Sequence, residues 1–353
     1  MDHFKIIKRA LETTWRYRAL WLFGVLLALT SGGRGNGGGG GGGSGANVTV
    51  PGPENAFPGI DVAGPPVWVI LTVIGVIVIL AFAFGILSVI ARYLSENALI
   101  KMVDEREETG TEYGIKGGFR LGWSRSAWRF FLIDLVVFLP IVILFILGLV
   151  LGASPLLLWI TERQALGIVG TVIAIGLLFL IILIFIVIFV IVALLRHFFL
   201  RVAALEDKGV FDAIREGFDL VRRHVVDVLL MGLLMFGLGI VFTLLSIPVM
   251  IVLVLVGVLA GGAPALLLGG LASIFFEGAV PWIVAIVVGL PLFLMVFGIP
   301  ALFLGGLYET FKSTTWTLTY RELRALDLSA EPDEPLEPPE PQEVEPESQE
   351  AMW

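Results

Sequence analysis

Few side chains in this sequence are placed to do chemistry, and their spacing limits what they can do. Three histidines, His3, His197 and His224, are scattered along the chain, and cysteine is absent. None of the three has a second ligand-type residue at metal spacing, such as the i, i+4 pair of a His-Glu-x-x-His helix. No metal and no cofactor is therefore expected. No Gly-x-Ser-x-Gly turn offers an activated serine. Without a thiol there is neither a thiolate nucleophile nor a disulfide framework. No catalytic residue is assigned, and the chain reads as non-enzymatic.

One carboxylate stands out. Asp134 falls about one turn inside an apolar run that follows Arg129. An acid within a membrane segment is a functional candidate by default. The plainer account is pairing with Arg125 or Arg129 at the positive end of a helix dipole, and it is favoured here because the position is shallow. Asp227 reads the same way at the head of another run. Glu277 precedes Pro281 and marks a helix start.

The bases form a pattern. Ile7-Lys8-Arg9-Ala10-Leu11, Ile115-Lys116-Gly117-Gly118-Phe119 and Ile214-Arg215-Glu216-Gly217-Phe218 share one order: isoleucine, base, any residue, small residue, large apolar residue. Each copy precedes a long apolar run. Basic amphipathic helices suit anionic headgroups. Lys8, Lys116, Arg215, Arg222 and Arg223 are accordingly the candidate contacts to membrane lipid. Phe211, Ile214, Phe218 and Val221 recur at helical spacing with charges around them, the clearest amphipathic helix in the chain.

These elbows must be positioned by membrane helices. Of 353 residues, 57% are hydrophobic and 15% charged, and the mean hydropathy is +0.95. A soluble domain carries about 25% charge, so the class is all-α integral membrane. The runs predict six spans, at about residues 15–31, 67–94, 130–151, 166–195, 225–259 and 280–307. The first apolar stretch, Ala19 to Gly33, covers only ~22 Å as helix, so its helix is expected to begin earlier, near Trp15. A cleaved signal peptide is the rival reading of that start. Gly261-Gly262-Ala263-Pro264 is expected to break the fifth span, leaving Ala265–Phe276 as a re-entrant or interfacial segment. A seventh crossing there is the alternative. The segments around 92–129 and 196–224 read as polar loops carrying the second and third elbows.

Of the 23 Lys and Arg residues, 21 fall at the termini and in those two loops, and only Arg34 and Arg163 fall elsewhere. The positive-inside rule then places both termini and all three elbows in the cytoplasm. Elbow, span, outer loop and span form a unit that returns to its own side. Three such units would be parallel repeats about an axis along the membrane normal.

Two segments lie outside this scheme. Residues 32–66 include seven consecutive glycines and read as a disordered outer loop, with no following Lys-Ser/Thr to make a phosphate cradle. Residues 327–353 hold ten acids and no base, which accounts for the net charge of −8 and leaves the body at +2. Rich in proline and glutamate, they read as a disordered cytoplasmic tail suited to a basic protein partner.

The elbows, the hairpins and the closing segment Phe311 to Arg324, with its Tyr320-x-x-Leu323-Arg324 ending, together resemble bacterial polytopic proteins related to the membrane domain of glycerophosphoryl diester phosphodiesterase. The resemblance covers roughly residues 1–326 through short motifs. It implies a bacterial inner-membrane protein and no activity, because the phosphodiesterase catalytic domain has no counterpart here. The expected role is binding of lipid or protein partners through elbows and tail, with no nucleic acid involved. The alternative is a channel or transporter of a lipid or hydrophobic solute.

Overall fold

The computed structural model describes residues 1–30, 67–161 and 163–330. The glycine-rich loop expected at 32–66, and all but the first four residues of the tail expected from 327, lie outside them. Every element among the described residues is helical: α1 His3–Arg16, α2 Ala19–Thr30, α3 Val67–Thr109, α4 Ile115–Gly122, α5 Arg125–Ala153, α6 Gln164–Leu205, α7 Val210–Arg223, α8 Val225–Phe275, α9 Val280–Phe293 and α10 Ile299–Ala330. A short 3-10 helix, Ser154–Thr161, follows α5, and a π segment, Leu294–Gly298, joins α9 to α10. That segment lies between Pro291 and Pro300, each of which removes a backbone donor from the helical ladder.

Five segments are long and apolar enough to cross a membrane: Ile74–Thr109, Arg125–Thr161, Gln164–Leu205, Val225–Phe275 and Val280–Ser329. The sixth, α2, has 12 residues, about 18 Å of helix. It does not begin near Trp15 as expected, because the chain breaks at Tyr17. There the Tyr17 N–H closes α1 by donating to the Thr13 carbonyl, and its buried hydroxyl donates to the Tyr113 carbonyl at 2.8 Å. Burial pushes that phenol up to about 12.

The core sits where charge is densest. α3 continues to Thr109 and α6 to Leu205, so the segments read as polar loops begin as helix. The stretches 93–103 of α3, 198–204 of α6 and 308–320 of α10 are mostly buried against one another. Most polar side chains there find a partner within the bundle, although the hydroxyls of Ser95 and Ser313 do not. In α10 the hydroxyls of Thr310, Thr314, Thr315, Thr317 and Thr319 each donate to the carbonyl four residues earlier, at 2.8 to 2.9 Å. A threonine that satisfies itself in this way can be buried without an external partner.

Around this core the three amphipathic helices are laid in one manner: α1 packs on α10, α4 on α3 and α7 on α6. The small residue of each pattern, Ala10, Gly118 or Gly217, is the buried one. A Cβ at Gly118 would meet Met102 Sδ at 2.5 Å, and one at Gly217 would meet Phe199 Cδ1 at 2.7 Å.

The expected break at Gly261–Pro264 is absent, and α8 runs through it as continuous helix to Phe275. The glycines are a packing seam. Gly257, Gly261 and Gly269 face α9 and its π extension, where a Cβ at Gly261 would lie 2.5 Å from the Gly289 carbonyl oxygen. Small residues four apart let two backbones approach closely, and the contact between α8 and α9 holds the helix across Pro264. Ala265–Phe275 is thus continuous with α8 and forms one arm of a hairpin with α9. Gly278, at φ +76°, supplies the turn between the arms.

Candidate functional site

Asp134 is the one sequence-flagged acid that reaches a built polar site. It bonds neither Arg125 nor Arg129; Arg129 instead pairs with the Asp207 carboxylate at 2.5 Å. The partner of Asp134 is Arg196 of α6, whose Nε lies 2.6 Å from Oδ1 and Nη2 2.9 Å from Oδ2. The rest of the guanidinium forks onto Glu96 of α3, at 2.9 and 3.0 Å. The Tyr93 hydroxyl donates to Asp134 at 2.9 Å. Four of the five Arg196 donors serve two carboxylates, so three helices are tied through one planar group. Glu96 and Arg196 went unnoticed in the sequence because each sits in a charge-rich stretch that looked like loop.

Next to this network lies a cavity of about 90 Å³. Its wall includes Arg92, Arg196, His197, Arg201, Lys312 and Ser313. The His197 ring stacks on Trp316 with centroids 4.9 Å apart and 10° between planes. Arg201 is 2% exposed, and its two terminal nitrogens donate to the carbonyls of His197 at 2.5 Å and Ser313 at 2.9 Å. Among the described residues no group of three or more His, Cys, Asp or Glu side chains is placed to hold a metal ion.

The candidate lipid contacts are not brought together. Lys8, Lys116 and Arg215 stand on three different helices, each exposed on the face opposite the buried small residue. Arg222 is exposed as well, while Arg223 pairs with Asp327 at 3.0 Å. That pair corrects the start of the tail: residues 327–330 belong to α10, and Asp327 holds the end of α7 through Arg223. Beside the bases, the same three helices expose large apolar side chains: Phe4, Leu11 and Trp15 on α1, Ile115 and Phe119 on α4, Phe211 and Phe218 on α7. Two of the helices border apolar clefts. One, of about 850 Å³, lies between α3 and α5 and is lined by Phe82, Ile86, Ile90, Trp123, Trp128 and Phe131 among others. The second, of about 320 Å³, runs along α1 between Trp15, Phe242 and Tyr308.

The closing motif of the chain docks on the third elbow. The Tyr320 hydroxyl donates to Glu206, Leu323 is buried, and Arg324 reaches Glu206 at 3.1 Å and Glu216 at 2.7 Å. Burial pushes the Glu216 carboxyl up, but hydrogen bonds from Lys208 and Arg324 outweigh it and hold the group below its ordinary range.

An all-helical body with five helices of membrane-crossing length defines a multi-pass membrane protein. The model of a family of unknown function, DUF7544, matches residues 4–318, and the chain belongs to that family. The match carries no link to the glycerophosphoryl diester phosphodiesterase membrane domain. No curated protein and no solved structure matches the chain.

Proposed function

We propose that this chain is a non-enzymatic protein of the bacterial inner membrane whose three amphipathic helices hold anionic lipid at the cytoplasmic face. One observation carries the reading. On α1, α4 and α7 alike, a base and large apolar side chains share exposed surface while the small residue opposite is buried. A helix exposing both kinds of side chain is unsuited to water alone or to hydrocarbon alone, and is suited to the boundary between them. The clefts beside α4 and α1 offer apolar seats for acyl chains.

In this reading α2 is a sixth crossing, short for the ~30 Å core and accommodated by local thinning of the bilayer. The units α1–α3, α4–α6 and α7–α10 then form three parallel repeats, with α4 packed on α3, α7 on α6 and α1 on α10 where they meet. The acidic tail would take a basic protein partner; a truncation at residue 330 that changes no interaction would remove that part. Native mass spectrometry of the full-length protein tests the lipid reading. The combined variant Lys8→Gln, Lys116→Gln, Arg215→Gln should keep severalfold less anionic lipid than the parent, with zwitterionic lipid unchanged. Equal retention of anionic lipid rejects the proposal.

The proline-flanked π segment between α9 and α10 favours a second reading, movement of a lipid or hydrophobic solute, since such irregular turns often mark functional sites. Flux into vesicles containing the protein is the measurement that reading requires.

A further inference from the structure

We propose that the cavity enclosed by α2, α3, α6 and α10 binds a phosphate group, as the free ion or as the headgroup phosphate of a lipid.

The argument begins with an uncompensated charge. Arg201 is 2% exposed, and among the described residues no carboxylate pairs with it. A guanidinium withdrawn from water costs several kcal/mol unless an anion offsets it. Two backbone carbonyls satisfy donors but carry no net charge. Arg201 Nε is buried with no partner, and so is Arg92 Nε on the same wall. Arg196 lies against Glu96 and Asp134 instead, which take four of its five donors. Arg196, Glu96 and Asp134 together carry one net negative charge, so Arg92, Arg201 and Lys312, set against that charge and Glu309, leave one positive charge unbalanced, and Lys312 stands 3.9 Å from Glu309.

A second observation points into the same space. Along α10 the threonine hydroxyls turn back onto the helix, yet the Ser313 hydroxyl between them is buried without a partner. Ser313 lines the cavity. An unmade hydrogen bond of this kind destabilises the fold, and an oxyanion accepting from the hydroxyl would offset it. Two guanidinium edges, one ammonium and one hydroxyl outnumber the one acceptor on this wall outside the Arg196 network, Glu309, and complement a phosphate oxygen cluster. The space of about 90 Å³ equals roughly three waters at ~30 Å³ each and excludes a nucleotide.

This inference does not depend on lipid held by the surface helices, and its test keeps the two apart. Full-length protein, stripped of phospholipid in a maltoside detergent and kept in chloride buffer, is titrated with inorganic phosphate or with a short-chain phosphatidic acid. The unfolding midpoint is followed at matched ionic strength, with acetate as the control anion. A rise with inorganic phosphate identifies the free group as sufficient. A rise with phosphatidic acid alone identifies the lipid headgroup. In either case Arg92→Gln and Ser313→Ala should weaken the response roughly ten- to hundredfold, the loss of one charge-assisted hydrogen bond. Arg163→Gln, at an exposed position ahead of α6, should leave it as it was. No rise with either probe, or a rise that survives both cavity variants, overturns the proposal.

Discussion

Arg196 and Asp134, 62 positions apart, meet with Nε 2.6 Å from Oδ1, and the same guanidinium closes on Glu96, 100 positions away. The pairings fix α6 against α5 and α3 where these helices leave their apolar stretches. A buried carboxylate is tolerable in that position only while the arginine is present.

Replacing Arg196 with Met should therefore be among the most damaging single changes in the chain. Two buried acids lose their counter-charge, and breaking such a pair costs about 3–5 kcal/mol. Asp134→Asn should cost less, about 1–3 kcal/mol, because Glu96 still balances the arginine and the amide still accepts from Tyr93. Unfolding midpoints in detergent rank the two. A milder effect for Arg196→Met than for Asp134→Asn would show that the network is not what joins the helices.

Glycines 261 and 262 separate a seam from a breaker. If the run only weakened the helix, alanine at either position would stabilise by ~1 kcal/mol. The close approach to the Gly289 carbonyl and Phe293 N–H predicts the opposite at Gly261. Gly261→Ala should destabilise by about 1–3 kcal/mol through overpacking. Gly262→Ala, whose Cβ meets nothing nearer than Val258 at 4.0 Å, should be neutral or better. Thermal melts of the two variants side by side decide the matter.

This contrast marks how far the residues alone could be read. Apolar run length reveals the membrane helices, because hydrocarbon demands it wherever they lie. The three amphipathic helices are legible too, since α1, α4 and α7 repeat at 3.6 residues whether or not a partner is known. What hides is anything set by a second segment. Gly261 looks like a breaker until Gly289 is placed beside it. Arg196 to Leu205 looks like loop because it opens on a charge whose partners lie on α3 and α5. Asp134 could be flagged by its depth, but its nearest bases in sequence, Arg125 and Arg129, were the wrong ones.

The Glu216 network makes stability depend on pH in a definite direction. Its carboxyl is held below the ordinary 4.5, so the folded form binds the proton more weakly than the unfolded chain does. The stabilisation is complete above pH 4.5 and is lost as pH falls through the lower folded value. Lys208, raised above 10.5 chiefly by its hydrogen bonds to Glu206 and Glu216, contributes below pH 10.5 and fades as pH climbs through its folded value. The difference in melting midpoint between the parent and Glu216→Gln should then be widest near neutrality and close in acid. A gap that persists unchanged well below pH 4.5 would mean that Glu216 acts through packing rather than charge.

The three elbows make the strongest joint prediction, because one pattern is used three times with the same division of labour. Ala10, Gly118 and Gly217 face the core, whereas Lys8, Lys116 and Arg215 face outward. Enlarging the small position should cost stability at every copy. Gly118→Val, Gly217→Val and Ala10→Leu each force side chains into a filled space, for about 1–3 kcal/mol or more. At Gly217 the obstacle includes the Phe199 backbone nitrogen, 3.2 Å from a new Cβ, which has less room to yield than the tip of Phe23 facing Gly118. That copy should suffer most. Neutralising the base in any copy should move stability by no more than ~0.5 kcal/mol, as surface changes do. The same three neutralisations should nevertheless change which lipids accompany the protein. Stability and lipid retention measured on one panel of six variants would then separate along the two faces of the helix. Variants in which both properties move together would show that the elbows are ordinary packing elements.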